Sequence, residues 1–305
     1  MGKRIVVVGS LNMDLVACAE RIPVVGETMV GHTYFTEPGG KGANQAYAAA
    51  RLGGQVSMLG RVGDDDFGRE MRANLEHVGC DTTGLATTPH CRSGIALIFV
   101  ADTGQNSIII VAGANDLFSA VDVQAAGAKI QGAAAVLLQL ENPVPTVLEA
   151  ARISHKLGVK VILDPAPARQ IPDELLQLAD VVTPNETEAA ILAGLPPDRL
   201  DSKQAGEIAL KLRSRGANTV IVKLGDQGCL LAGADKPQLF AAPKVDAVDS
   251  TAAGDVFNGA FAVAVSEGLD LPSACKFANR AAALSVTRRG AQASVPSRAE
   301  LQEFT

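Results

Sequence analysis

No two of the five cysteines, Cys18, Cys80, Cys91, Cys229 and Cys275, form a CxxC pair. That spacing argues against a zinc knuckle, and a chain of 305 residues has no need of a disulfide framework. The thiols read as buried and free in a reducing compartment. No apolar run approaches the roughly 18–20 residues that span a bilayer. Met1-Gly2-Lys3-Arg4 runs straight into Ile5-Val6-Val7-Val8 and Gly9-Ser10, which lacks the long apolar stretch and cleavage site of a secretory signal. A cytoplasmic protein without a membrane partner is expected. There is no lysine/arginine tract, and the formal net charge is −6, which speaks against nucleic acid as a partner. Internal repeats, low-complexity tracts and flexible linkers are also missing, so one domain over residues 1–305 is expected.

Several catalytic patterns fail as well. Gly39-Gly40-Lys41-Gly42 resembles a P-loop, but GxxxxGK[ST] needs glycine where Phe35 stands and Ser or Thr where Gly42 stands. Gly9-Ser10-Leu11-Asn12 lacks the G-x-G-x-x-G fingerprint of a dinucleotide-binding turn. The histidines His32, His77, His90 and His155 belong to no cluster and read as surface or satisfied side chains.

What is present is an alternation typical of an α/β protein that is 47% hydrophobic. Ile5–Val8, Gln55–Leu59, Ala135–Leu140, Lys160–Leu163, Asp180–Thr183 and Thr219–Lys223 read as buried strands. Ala43–Leu52, Gly68–Val78, Thr146–Leu157 and Ser202–Arg215 read as helices between them. This order implies right-handed crossovers and a mostly parallel sheet with helices on both faces. Gly254–Glu267 and Leu271–Arg288 read as two closing helices with no strand between them. Two stretches break the rhythm. Residues 14–36 contain Pro23, Gly26 and the alternating Thr28–Phe35, and residues 93–111 read as strands Gly94–Val100 and Ser107–Val111 around an Asp102–Gln105 turn. They predict a small antiparallel sheet projecting from the main body, which must cover something or pair with a copy of itself.

Polar residues with chemical potential gather after strands. Asp249-Ser250-Thr251-Ala252-Ala253-Gly254-Asp255 opens a helix with small residues, leaving N–H groups open to an anion. Asp255 then either accepts a proton from an attacking hydroxyl or only caps the helix; the segment by itself admits both readings. Gly39–Gln45 either brings backbone, Lys41 and Asn44 close to a small polar ligand or is an ordinary helix entry. Asn12 and Asp14 follow the first strand, Glu141 follows Ala135–Leu140, and Asn185-Glu186-Thr187-Glu188 follows Asp180–Thr183 with oxygens suited to water-mediated Mg²⁺ contact. All fall at one edge of the sheet. Arg288-Arg289-Gly290 reads as a solvated helix end in preference to a phosphate clamp.

Together these segments resemble the ribokinase-like (phosphofructokinase-B type) carbohydrate kinases over nearly the full length. The amino-terminal signature of that family is matched by Gly39–Ala46 and the carboxy-terminal one by Asp249–Phe257, with Ser250 where threonine is common. The resemblance implies a kinase fold with a β-sheet lid that also forms a homodimer contact. It implies transfer from MgATP to a sugar's primary hydroxyl, with the 5-hydroxyl of ribose favoured over deoxyribose, fructose, ketodeoxygluconate or adenosine. A catalytically silent sensor on the same fold is the rival from another class. Asp255 is implied as base, and the amides of Ala252, Ala253 and Gly254 as the anion hole. Asn12, Asp14, Gly40, Lys41, Asn44 and Glu141 are implied to hold the sugar, and Asn185, Lys223, Gly225, Gly228, Gly254 and Asn279 the nucleotide. An activating K⁺ is implied at Asp249, Thr251, Ser285, Arg288, Gly290 and Ser294, and Mg²⁺ near Glu188 through water.

Overall fold

The β-branched run Ile5–Val8 has almost no exposed surface, and its side chains alternate between two cores. Ile5 and Val7 join one apolar cluster, and Val6 and Val8 the other. That strand lies in the interior of the large sheet, paired on both sides. The computed structural model describes residues 2–196 and 200–304. Met1, residues 197–199 and Thr305, all within the expected 1–305 domain, lie outside the described residues.

Strands β1 (Ile5–Val8), β2 (Asn12–Ala19), β3 (Thr33–Gly39), β4 (Val56–Gly63), β5 (Asp81–Thr88), β6 (Gly94–Ala101) and β7 (Asn106–Val111) make up the first part of the chain. Then follow β8 (Ala135–Leu138), β9 (Lys160–Leu163), β10 (Val181–Val182), β11 (Thr219–Lys223), β12 (Cys229–Ala232) and β13 (Gln238–Phe240). Nine of them form the main sheet in the order β13-β12-β11-β10-β9-β8-β1-β4-β5. It is parallel from β11 to β5, and β12 and β13 add an antiparallel edge. The sequence direction reverses at β1, which pairs with β8 on one side and β4 on the other. A crevice at such a switch point, beyond the carboxyl ends of the strands, is where open α/β sheets bind ligands.

The remaining β2, β3, β6 and β7 form the separate small sheet, ordered β3-β2-β6-β7. Its two outer pairings are antiparallel, as expected, while the central β2–β6 pairing is parallel. The strands are longer than 14–36 and 93–111 suggest, because β2 starts at Asn12 and β3 continues to Gly39. The small sheet, expected to be the lid, therefore grows directly out of the main body. One face of it is bare: Tyr34 is 83% and Ile109 56% exposed.

The helix Lys41–Arg51 packs on the helix Ala253–Ser266 through small residues. A Cβ on Gly259 would stand 2.8 Å from Ala48 Cβ and from the Gln45 carbonyl. The expected helix Leu271–Arg288 stops at Ser285, and the Val286 carbonyl accepts instead from the N–H groups of Val248 and Asp249. No helix among the described residues is long and apolar enough to cross a membrane.

Gly42 sits where the first strand's exit meets the helix Lys41–Arg51. A Cβ there would lie 2.5 Å from Ser10 N and 2.7 Å from Gly9 Cα, which are rigid backbone atoms. Gly42→Ala is expected to destabilise by about 1–3 kcal/mol, read as a melting point several degrees lower. Gly127→Ala, whose new methyl meets nothing nearer than 3.9 Å, serves as the neutral control in the same thermal scan.

Candidate active site

Glu141, just beyond β8, ties three separate segments together. It accepts from Ser10 Oγ at 2.5 Å, from the Lys41 N–H at 3.0 Å and from Asn12 Nδ2 at 3.4 Å. Asn12 is fixed from behind by Asn115, whose Nδ2 donates to Asn12 Oδ1 at 2.9 Å and to the Leu11 carbonyl. Gly40, at φ 88°, passes so close that a Cβ would lie 2.6 Å from Asn12 N. Asp14 stands on β2 directly opposite Glu37 of β3. Burial, with the nearby charges of Glu37, Glu141 and Asp255, pushes the Asp14 carboxyl up to about 7.

Asp255 lies buried in the first turn of Ala253–Ser266. Its carboxylate accepts from Asn44 Nδ2 at 3.2 Å and from Gln45 Nε2 at 3.0 Å. Gln45 Nε2 also donates to Asp164 at 2.8 Å, while Gln45 Oε1 accepts from Gln139 at 2.7 Å. Burial raises the Asp255 carboxyl above the usual carboxylate range and Asp164 adds to this, against the pull of Lys41 and Lys223. Burial works against the Lys41 charge too, but Asp255, Asp164, Glu141 and Glu188 outweigh it and hold that ammonium firmly protonated.

The helix opens on Ala252 in a left-handed conformation, φ 57°, a strained state for a residue with a Cβ. Among the described residues the N–H groups of Ala252 and Gly254 have no protein acceptor. The expected third member, Ala253, is already engaged, donating to the Ser250 carbonyl at 3.2 Å. This turn borders a cavity of about 360 Å³, also lined by Lys41, Asp164, Asn185, Glu188 and Lys223. A larger recess of about 590 Å³ continues past Lys223 to Gly225, Gly228 and Asn279. Gly228, at φ 98°, has no room for a side chain, since a Cβ would lie 2.1 Å from the Phe240 carbonyl. Asn279 is buried and donates to that same carbonyl at 2.8 Å.

Asn185 caps the helix Glu186–Leu192, accepting from Glu188 N–H, while Glu188 returns a bond to the Asn185 N–H. Burial raises the Glu188 carboxyl, and Lys223 opposes the rise. Asp249 takes bonds from the Thr251 hydroxyl at 2.7 Å and from the Thr251 and Gly290 N–H groups at 2.9 Å each. Burial opposes the Asp249 charge, but these donors hold its carboxyl below the usual range. Segments 249–251 and 285–294 thus meet around one carboxylate. The Arg288 guanidinium turns away to Glu300 at 2.8 Å, and Ser294 Oγ donates to the Ala291 carbonyl. Among the described residues no three His, Cys, Asp or Glu side chains form a metal cage. None of the histidines lines either cavity, and His32 pairs with Asp102 on the lid at 2.9 Å. Cys80, Cys229 and Cys275 are buried, but Cys18 and Cys91 are only half-buried, contrary to expectation.

Five residues that local pattern reading missed join the cluster. Asp164, Gln45 and Gln139 form its buried polar floor, and Gln292 donates to Asn44 at 3.0 Å. Glu37 reaches from the lid to the N–H of Ala291, beside Gly290. Gln45 closes the Gly39–Gln45 stretch singled out in the sequence, but nothing local assigns it, or the other four, a place in this cluster.

An aspartate that titrates at about 7 when folded, against an ordinary 3.8, binds its proton more tightly folded than unfolded. The unliganded fold therefore loses stability as pH rises from about 4 through about 7. Asp14→Asn removes that loss, so its gain in melting temperature over the parent is expected to be larger at about pH 8 than at about pH 5. Equal gains at both would contradict the raised carboxyl.

Residues 2–298 match the family described as pfkB family carbohydrate kinase. The chain is 42% identical over 304 residues to a ribokinase of Haemophilus influenzae, covering 100% of this chain and 99% of that protein. It is 40% identical over 301 residues to a deoxyribokinase of Salmonella typhimurium, covering 98% of each. The crystal structure of Arabidopsis thaliana ribokinase complexed with ribose and ATP superposes with a TM-score of 0.91 at 37% identity, covering 100% of this chain and 99% of that one. The chain belongs to the pfkB family of carbohydrate kinases.

Proposed function

We infer that this sugar kinase transfers the γ-phosphoryl group of ATP to the 5-hydroxyl of D-ribose, giving ribose 5-phosphate and ADP. One observation carries the reading: the Asp255 carboxylate, held by Asn44 on the Glu141 side, lies one residue from the free Gly254 N–H that borders the cavity of Lys223. A base and an anion turn on consecutive residues suit in-line transfer from a nucleotide to a hydroxyl. The names of the similar proteins, ribokinases among them, and the ribose–ATP complex support the choice of sugar. The deoxyribokinase at 40% identity makes deoxyribose the second candidate.

In this reading Asn12, Asp14, Gly40, Lys41, Asn44 and Glu141 hold the sugar hydroxyls. Asp255 takes the proton as the hydroxyl oxygen attacks, its raised affinity for protons suiting that task. The open amides of Ala252 and Gly254 receive the transferred phosphoryl oxygens. Asn185, Lys223, Gly225, Gly228 and Asn279 border the nucleotide. The Asp249 carboxylate, in contact with Thr251 and Gly290, is proposed to hold a monovalent cation such as K⁺ together with oxygens of Thr251, Ser285, Arg288, Gly290 and Ser294. Glu188 and Asn185, at the mouth of the phosphate-side cavity, fit water-mediated Mg²⁺. Bound Mg²⁺ supplies charge neutralisation for the phosphates. The bare lid face of Tyr34, Phe99 and Ile109 supports a homodimer. The chain is proposed to be one kinase domain working in the cytoplasm.

The test is ADP release from MgATP with ribose, deoxyribose, fructose, ketodeoxygluconate and adenosine, each in potassium and in tetramethylammonium buffer. Ribose is expected to lead and potassium to raise the rate; a lead for another acceptor overturns the substrate, and equal rates in both buffers overturn the cation. Asp255→Asn is expected to cut kcat by several orders of magnitude while leaving the melting temperature unchanged or higher, because a desolvated charge is removed. A near-parental kcat would take Asp255 out of the base role.

A further inference from the structure

Three side-chain amides stand in line behind Asp255. Asn74, on the helix Asp66–His77, donates from Nδ2 to Gln292 Oε1. Gln292 Nε2 donates to Asn44 Oδ1 at 3.0 Å, and Asn44 Nδ2 donates to Asp255 Oδ2 at 3.2 Å. All three bonds run the same way, from the half-buried Asn74 to the buried carboxylate. Gln292 is 5% and Asn44 7% exposed, so water has little access to the middle of the line. Asn44 and Asn74 sit on successive helices, and Gln292 on the loop after Leu271–Ser285.

The direction of the line matters because an amide has two unlike ends. An ionised carboxylate only accepts, so Asn44 has to turn its Nδ2 to Asp255 and its Oδ1 away. Nothing in Asn44 itself favours that orientation. Gln292 supplies the preference, because its Nε2 meets Asn44 Oδ1. Turning Asn44 over would set two NH₂ groups against each other and bring its oxygen against the carboxylate. Each such mismatch in a buried place costs about 1–3 kcal/mol. Asn74 repeats the arrangement one step back, meeting Gln292 Oε1 with a donor. Gln292 lines neither cavity of the site, so its influence on the reaction runs through Asn44.

We propose, building on the kinase reading above, that Gln292 is a positioning residue for the base: by fixing which end of Asn44 faces Asp255, it keeps that carboxylate ionised and aimed. Asn74 holds Gln292 in the matching orientation. A residue of the closing loop thereby serves the chemical step without meeting sugar or nucleotide.

Two measurements on the full-length protein test it. In the first, Gln292→Met is expected to lower kcat with ribose about tenfold, the worth of one hydrogen bond to a charged group, and to leave KM for MgATP unchanged. The acid limb of its pH–rate profile moves to higher pH, because a base that loses a donor holds its proton more tightly. In the second, which needs no turnover, the parent, Gln292→Met, Asp255→Asn and the double variant are melted from about pH 4 to about pH 9. A carboxyl that binds its proton more tightly when folded loses stability as pH rises. The cost of Gln292→Met should therefore grow with pH where Asp255 is present and stay flat in the Asp255→Asn background. Lys41, Lys223, Asp164 and Asp14, which also face Asp255, are common to all four proteins and cancel. An unchanged kcat, a loss with an unmoved pH profile, or a cost equally steep in both backgrounds overturns the proposal. Should Gln292→Met fail to fold, Asn74→Leu makes the same comparison through its bond to Gln292, with smaller effects of the same sign. No ribose-dependent ADP release by the parent would sink the ribose reading by itself, while the melting comparison continues to judge Gln292.

Discussion

Two buried carboxylates, Asp164 and Asp255, face one amide, that of Gln45, and the site is arranged around keeping them there. Each accepts from Gln45 Nε2, at 2.8 Å and 3.0 Å. Like charges so placed repel in a medium of low dielectric, and burial penalises both. The fold answers with two lysines, Lys41 from the helix after β3 and Lys223 from the end of β11, and with the amides of Asn44 and Gln139. Gln139 in turn sits where Gly9 leaves no room for a side chain, its Oε1 2.2 Å from the point a Cβ would occupy. Glycine after the first strand is thus a consequence of the buried network.

The division of labour along the chain follows from the switch in strand order at β1. Residues after β1 and β8 converge on Glu141, while those after β9, β10 and β11 converge on Lys223. Asp255 lies between the two groups, on a helix that packs against Lys41–Arg51 through Gly259. In the proposed reaction the phosphoryl acceptor and the phosphoryl donor therefore meet over one carboxylate. Neither group has to reach across the sheet.

Much of this was legible before any coordinates. The runs Ile5–Val8, Lys160–Leu163 and Thr219–Lys223 carry strands with the expected ends, because continuous β-branched runs bounded by polar turns admit few other readings. The lid showed through as strands around the Asp102–Gln105 turn. β5 did not, since in Asp81–Thr88 only Thr82 and Leu85 are buried and no large apolar residue accompanies them. Ala252 gave no sign of its left-handed backbone, because no glycine marks the spot. Gln45, Gln139, Asn115, Gln292 and Glu37 were silent for a different reason. Each acts through a partner distant in sequence, as Gln292 does on Asn44, and local pattern carries no trace of such pairs. The extra helical turn assigned beyond Ser285 fails because the Thr287 and Arg288 N–H groups bond three residues back, to the Leu284 and Ser285 carbonyls, and not four.

The bond between Gln292 and Asn44 spans 248 residues, and that between Asn44 and Asp255 spans 211. Asn44 has both its amide atoms committed to a part of the chain made last. During synthesis the amino-terminal half can fold its strands and helices, but it emerges from the ribosome without Asp255, without the turn at Ala252 and without the loop that steadies Asn44. A growing chain that has not reached Asp255 therefore lacks the carboxylate proposed as the base. The enzyme comes into being only when its final stretch folds back onto its first.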